Sequence, residues 1–422
     1  MKIMKLSTIK QEPIKSLAFM ERYVNEGSPS GYSFSHTSSP FTEPRGPTIG
    51  FTLLETLPNP GVCVYNIGAL PLGLFSDVTI HDVAMLIHPD MKSEGNLYHL
   101  CEDVSKHTTY MVQPTSSART LEVLDNTCKG YLKLHYENYL GRIRRRLTLK
   151  HAQSAIENTQ ILDHLISHGL MPESFAYYPE IGARVYEKSL QDELIYWGMV
   201  WRPSNIRGCN ADKVVYQIPG FSLFARNMYD PTSAIILLQL GEVHSDNKIR
   251  FLIDNLLLPL IKNYFAMLIY GGLQGEWHAQ NVLLGFDENW KCVSTILRDM
   301  ESIDRDLAFI SNANHNVKLE SFPYKCVRID HNYAIRHSFM FDYKFGNYLL
   351  APLIDHAGIC WGIDTSLVDH EVIDFVMEQL RLLPDDFFPK NGCWYSFAKQ
   401  LIDQSISERP YICHQNPRFR RY

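Results

Sequence analysis

From Asn247 to Tyr270, apolar residues recur at three- and four-residue spacing, and the run stops at Gly271-Gly272. This is the strongest periodic signal in the chain, and it predicts a long helix with a wide apolar face and a glycine stop. Its most apolar part, Phe251 to Tyr270, is broken by Asp254, Asn255, Pro259 and Lys262, so the helix is expected inside a protein core and not across a membrane. A helix of this kind needs an equally apolar surface to lie against. The residues that follow, Glu276 to Phe286 and Cys292 to Leu297, read as two strands joined by a turn at Asp287–Asn289.

Elsewhere the pattern changes along the chain. The first 34 residues carry little periodicity and read as a short arm, and Ser35 to Pro47 is a loop rich in Ser, Thr, Pro and Gly. Gly61–Ile67 and Asp77–Ile87 are short β-branched runs, hence strands. Gly130 to Arg146 alternates, with Leu132, Leu134 and Tyr136 on one side and Lys133, His135 and Glu137 on a polar side. Gln153–His168 and Pro172–Trp197 read as helical, as do Val372–Leu382 and Ser396–Ser407 in the tail. The expected fold class is α+β, a β-rich N-terminal half followed by a helix-rich C-terminal half.

Composition narrows the function classes. The 422 residues are 45% hydrophobic, enough for a large core and roughly two or three domains. A net charge of −6 argues against a chain built mainly to hold nucleic acid or an anionic membrane. The start, Met1 to Ser16, is basic without an apolar stretch, so it is not read as a secretory signal. Nine cysteines lie singly, with no C-x-x-C, which fits a reducing, cytoplasmic setting better than disulfides or a zinc site.

The densest polar cluster in an apolar context is Gly275-Glu276-Trp277-His278-Ala279-Gln280-Asn281, with Arg298-Asp299 beyond it. Alternation puts Glu276, His278 and Gln280 on one strand face. Asp299 follows Asn281 by 18 residues, a hairpin length that can bring His278, Gln280, Asn281 and Asp299 into one pocket. Asn and Asp oxygens suit Mg²⁺. The plainer alternative is a satisfied core histidine and a strand-end aspartate at a turn. Kinase-like phosphotransferases place a base Asp two residues after the His. Here that position is Gln280, which cannot take a proton from a hydroxyl.

A second cluster runs from Thr115-Ser116-Ser117 through Arg119-Thr120 and Lys133 to Arg142, Arg144, Arg145 and Arg146. Hydroxyls, backbone N–H groups and a guanidinium fork can hold phosphate oxygens. The alternatives are a solvated basic strand or a nucleic-acid patch, the latter disfavoured in an acidic chain. Gly271–Gly275 is no P-loop, because no Lys-Ser/Thr pair follows.

Taken together and in order, these segments resemble the nucleotide-dependent, NRPS-independent (NIS) siderophore synthetases, the aerobactin-synthetase-like family. That family shows S-x-R-T, L-K-L, an Arg two residues before a Leu, H-G-Q-N and R-D. This chain has Ser117-Ala118-Arg119-Thr120, Leu132-Lys133-Leu134, Arg145-Arg146-Leu147, His278-Ala279-Gln280-Asn281 and Arg298-Asp299, with 12 residues from Lys133 to Arg145. Weaker echoes are Ile87-His88-Pro89, Thr48-Ile49-Gly50-Phe51 and Asn416-Pro417. It departs from the family at Ala279, at Asp90-Met91 and in a degenerate loop around His36 and Arg45.

The resemblance implies a cupped-hand fold with β-rich fingers (36–240) and a helix-rich palm (241–422), after an arm at 1–35 and with the thumb largely missing. It implies ATP and Mg²⁺ as cofactors and a carboxylate, citrate or citrate-like, that is adenylated and then passed to an amine or hydroxyl. Ser117, Arg119, Thr120 and Arg145 would take phosphate oxygens, Lys133 phosphate or nucleotide, and His278 the α-phosphate as a hydrogen-bond donor. Gln280 and Asn281 would orient the nucleotide, and Asp299 with Asn281 or Glu276 would hold Mg²⁺. Lys399, Arg142, His36 and Arg45 are the cationic choices for the carboxylate substrate. A homodimer or a longer partner synthetase is the expected partner, with neither nucleic acid nor membrane. Two other outcomes stay open: a non-catalytic nucleotide-binding subunit, and a phosphotransferase on a related palm.

Overall fold

A computed structural model describes residues 4–25, 49–58, 62–70, 83–88, 91, 95–117, 119–124, 128–140, 143–306, 333–395, 411–414 and 416–421. The expected loop at Ser35–Pro47, the tail helix at Ser396–Ser407, and the residues His36, Arg45, Arg142 and Lys399 lie outside them.

The N-terminal half is built on one antiparallel sheet. Its strands are β1 (Ile49–Pro58), β2 (Cys63–Gly68), β3 (Val83–Leu86), β4 (Cys101–Pro114), β5 (Thr120–Val123), β6 (Gly130–Leu134), β10 (Gly182–Leu190) and β11 (Glu193–Pro203). They lie in the order β2-β10-β11-β6-β5-β4-β1-β3. A short hairpin, β7 (Tyr136–Leu140) and β8 (Ile143–Arg145), follows β6. A short helix α3 (Gly95–Leu100) precedes β4; helix α4 (Leu149–Ser167) starts at Thr148, whose hydroxyl accepts from the His151 N–H at 3.2 Å, and contacts β10 and β11.

A second sheet combines β9 (Phe175–Tyr177), β12 (Arg207–Gly208), β13 (Tyr216–Pro219), β15 (Val282–Phe286) and β16 (Cys292–Leu297), in the order β12-β9-β16-β15-β13. The β15–β16 hairpin is the expected one. Asp287 Oδ1 accepts from the N–H groups of Asn289 and Lys291 at 2.8 and 3.0 Å, which closes the turn locally. The expected long helix runs through Lys248–Arg250, a π-helical stretch Phe251–Leu257, and Leu258–Gly271. Pro259 has no N–H to give, which fits the wide turn just before it. Gly272 closes the helix at φ 58° and ψ 25°, a conformation glycine adopts without strain. Ser245–Gly271 is the one helix among the described residues long and apolar enough to cross a membrane. Its Leu252, Ile253, Leu256, Leu257, Leu260, Ile261, Phe265 and Leu268 are buried in the main core beside Trp277, Phe341 and Leu353.

Two expectations are corrected, and the direction of one polar face is decided. Pro172–Trp197 is not helical: it holds β9, β10 and the start of β11. Gln191 and Asp192, both at positive φ (48° and 67°), turn β10 into β11, and the intervening residues pair with β2 and β11. The first residues are not a featureless arm. They form α1 (Leu6–Gln11) and α2 (Pro13–Tyr23), which bury Leu6, Ile9, Phe19 and Met20 in the main core. The polar side of Gly130–Arg146 faces inward, with Lys133 2% and His135 1% exposed. Its charges are paired inside the protein and not solvated. Helices Tyr333–Ser338, Ala351–Trp361 and Thr365–Leu380, with a π-helical stretch Phe339–Leu350, complete the helical half.

Candidate functional site

The two motif clusters, more than 100 residues apart in sequence, meet where β5 and β6 approach the far end of β16. Here the expected strand Glu276–Asn281 is a turn. After β14 (Leu273–Gln274), Trp277 N–H bonds to the Gly275 carbonyl, His278 N–H to Glu276 and Asn281 N–H to His278. Trp277 is fully buried and anchors the turn in the core. Glu276 and His278 still come together, with His278 Nε2 at 3.6 Å from Glu276 Oε2, through this anchored turn and not through strand alternation.

Arg298 ties the clusters together. Its Nε donates to the Gln280 carbonyl at 2.8 Å, its Nη2 to Ser116 Oγ at 2.9 Å, and its Nη1 to Glu21 Oε1 at 2.6 Å. The Gln280 carboxamide donates to the Ser116 carbonyl at 2.9 Å, and Ser116 N–H to Glu21 Oε2 at 3.1 Å. Glu21, on α2, is thus a central acceptor of the site, and no periodicity or motif marks it in the sequence. Asn281 is buried, its carbonyl accepting from Arg298 N–H at 2.9 Å.

The charged centre is Lys133. It sits mid-sheet, opposite Thr120 on β5 and Val200 on β11. Its ammonium bonds to Asp299, lies 2.6 Å from Glu301 Oε2 and 3.8 Å from Glu180 Oε1. Arg119 Nη2 donates to Glu301 at 3.0 Å and its Nη1 to the Arg145 carbonyl at 3.2 Å. Arg202 pairs with Glu180 at 2.6 Å. Asp299 stands at φ 74° and ψ 64°, a left-handed conformation that is strained for a non-glycine residue and frequent at functional sites. Thr120 Oγ1 donates to Ser117 Oγ at 3.3 Å, keeping the Ser-x-Arg-Thr turn closed. Arg145 lies on β8, half-buried, with its carbonyl fixed by Arg119.

The electrostatics follow from burial against pairing. Burial lowers the Lys133 ammonium, but Asp299, Glu180 and Glu301 outweigh it and raise the pKa. Burial raises the carboxyls of Asp299 and Glu301, and Lys133 more than reverses this, so both are held below the ordinary carboxylate range. Glu276 is likewise held well down against burial, by Lys344 at 3.3 Å and by His278. Burial keeps His278 below its usual value despite Glu276, so the ring is neutral near pH 7. The Gln280 N–H points at Nδ1 at 3.3 Å, which leaves the ring proton on Nε2. His278 is therefore a donor and not a base.

These shifts set the acid response. Groups whose folded pKa is depressed stabilise the fold above their unfolded pKa and lose that contribution as pH falls. The melting temperature is expected to decline first below about pH 6.5, from His278 and the similarly depressed His135, and more steeply below about pH 4.5, from Asp299, Glu301 and Glu276. A thermal-melt series from pH 8 to 3 that stays flat to pH 4 would contradict this assignment.

Asp299 and Glu301 are ionised oxygen donors still partly open, at 26% and 13% side-chain exposure. Mg²⁺ takes one or two carboxylates and completes its shell with phosphates and water, so the pair beside Lys133 and Arg119 fits a metal–nucleotide complex.

Such an arrangement, a mixed antiparallel-sheet and helical chain with these ion-paired motifs at the junction, has the fold of the NIS siderophore synthetases. The chain superposes on the petrobactin biosynthesis protein AsbB from Bacillus anthracis str. Sterne with a TM-score of 0.65 at 16% identity, covering 88% of this chain and 68% of that one. It matches the ATP-bound aerobactin synthetase IucA from a hypervirulent pathotype of Klebsiella pneumoniae with a TM-score of 0.65 at 15% identity, over 99% of this chain and 82% of the other. For the aerobactin synthetase IucC from the same source the values are 0.61, 11%, 82% and 66%. No protein-family model matches the sequence, and no curated protein does.

Proposed function

We propose that this chain is an ATP-dependent carboxylate–amine ligase of the siderophore-synthetase type, acting in the cytoplasm. A carboxylate, citrate or citrate-like, attacks the α-phosphate of ATP, giving an acyl-adenylate and pyrophosphate. An amine or hydroxyl then displaces AMP and leaves an amide or ester. The reading is carried by one observation: Ser116, Gln280 and Arg298 lock the Ser-x-Arg-Thr turn to the His-Ala-Gln-Asn and Arg-Asp segments, beside the Lys133–Asp299 pair. The likeness to an ATP-bound aerobactin synthetase supports it.

The carboxylate is already a nucleophile, so the first step asks the protein for orientation and charge neutralisation, not for a base. Lys133, Arg119 and Arg145 neutralise phosphate oxygens, with Ser117 and Thr120 as hydroxyl donors. His278 gives its Nε2–H to the reacting phosphate. Asp299, with Asn281 or Glu276, would hold Mg²⁺, which would supply charge withdrawal from the phosphates. Gln280 orients Ser116 through its carboxamide, which also leaves no proton acceptor where a phosphotransferase would need one. Arg142, His36, Arg45 and Lys399 remain the residues proposed for the carboxylate substrate.

The test incubates the purified protein with ATP, Mg²⁺, hydroxylamine and a panel of carboxylates led by citrate. Carboxylate-dependent AMP and pyrophosphate are expected, lost in His278→Ala and Asp299→Ala. ADP would replace this reading with phosphoryl transfer. ATP binding without turnover on any carboxylate would replace it with a non-catalytic partner subunit.

A further inference from the structure

Three cations and three carboxylates form a closed set at the centre of the site: Lys133, Arg119 and Arg202 against Asp299, Glu301 and Glu180. Within it Glu301 has a particular place. Its Oε2 lies 2.6 Å from Lys133 Nζ and 3.0 Å from Arg119 Nη2, so one carboxylate oxygen engages two of the three cations read as phosphate holders. Glu301 is no loose surface acid. It sits on the one-turn helix Met300–Ser302, and the carbonyls of Met300 and of Ile303 just after it accept from the buried Asn158 Nδ2 of α4 at 2.8 and 3.2 Å. Ser302 Oγ closes the same turn onto the Asp299 carbonyl at 2.8 Å. The acid is built into position by a second element, and its other oxygen lies 3.7 Å from His151.

We propose that Glu301 is a resident counterion of the site: without nucleotide it occupies two of the cations that would hold the phosphates, Lys133 and Arg119, and it thereby makes nucleotide binding depend on the divalent ion that accompanies it. This rests on the reading of Lys133 and Arg119 given above. The charge count carries it. A bare triphosphate entering a set that is already neutral would have to pull Lys133 and Arg119 away from Asp299 and Glu301, leaving two ionised, largely enclosed carboxylates beside its own negative oxygens. Asp299 and Glu301 can release their cations without that penalty only when another cation replaces them. Mg²⁺ brought with ATP is such a replacement, and the carboxylate pair is of the kind it accepts.

Calorimetric titration of the full chain with ATP in Mg²⁺ and with ATP in EDTA tests this without relying on turnover. The wild type is expected to bind the magnesium form at least about tenfold more tightly, and Glu301→Gln to close most of that gap by binding metal-free ATP more tightly. Glutamine keeps a hydrogen-bond acceptor for Arg119 and removes the charge, and the wild-type comparison needs no variant at all. Equal affinity of the wild type for the two forms would overturn the proposal, as would a Glu301→Gln gap unchanged from wild type. If the wild type bound neither form, the nucleotide reading itself would fall and this inference with it.

Discussion

Replacing Arg298 with alanine is expected to cost about 3–5 kcal/mol of folding stability, the range for removing one partner from a buried ion pair. Arg298 is 9% exposed and Glu21 5% exposed. Without the guanidinium, Glu21 keeps only the Ser116 N–H among the bonds that now satisfy it here, and the Gln280 carbonyl and Ser116 hydroxyl lose their donor. The loss should read as a lower urea midpoint at unchanged slope. The double variant Arg298→Ala with Glu21→Gln should recover part of it, because the stranded charge is gone. A loss under about 1 kcal/mol would mean that the bridge between α2, the Ser-x-Arg-Thr turn and β16 is not what joins these segments.

Lys133→Met should act on stability and ligand binding together. Methionine fills similar volume but leaves Asp299 and Glu301 with Arg119 and the His151 ring, and Glu180 with Arg202, among the described partners. A penalty of about 3–5 kcal/mol is expected near pH 7. It should shrink on acidification. Without Lys133 the two carboxyls lose the largest influence holding them down, so burial weighs more heavily and they protonate more readily in the folded variant than in the wild type. Affinity for magnesium–ATP should fall about 10- to 100-fold, the worth of one charge-assisted phosphate contact. Unfolding curves at pH 7 and pH 5 and one titration decide it. A penalty that grows toward acid would show that Lys133 is not the group compensating these carboxylates.

Much of this site was legible as residue types in order. Ser117, Arg119, Lys133, Arg145, His278, Gln280 and Asp299 are the kinds of side chain that phosphate and magnesium chemistry needs, and their spacing marked them. Others carried no signal. Glu21 lies on a short helix in a stretch without clear periodicity, Glu301 is one acid among many, and Lys344 sits in a π-helical stretch whose repeat no 3.6-residue template follows. Each is at the site only because a distant element is packed there.

Local sequence alone determined the long helix with its glycine stop, the Asp287 turn between β15 and β16, and the change from a strand-rich to a helix-rich half. These rest on interactions between near neighbours: apolar periodicity, a left-handed cap and an aspartate accepting from the next backbone N–H groups. Local pattern failed where partners are remote. Gly182–Leu190 becomes a strand because β2 and β11 offer their edges, Glu276–Asn281 turns because Trp277 is drawn into the core, and Lys133 and His135 point inward because Asp299, Glu301 and Glu137 compensate them. A buried charge is stable only beside its counter-charge, and which residue supplies that charge is decided by the packing of the sheets and helices, not by distance along the chain.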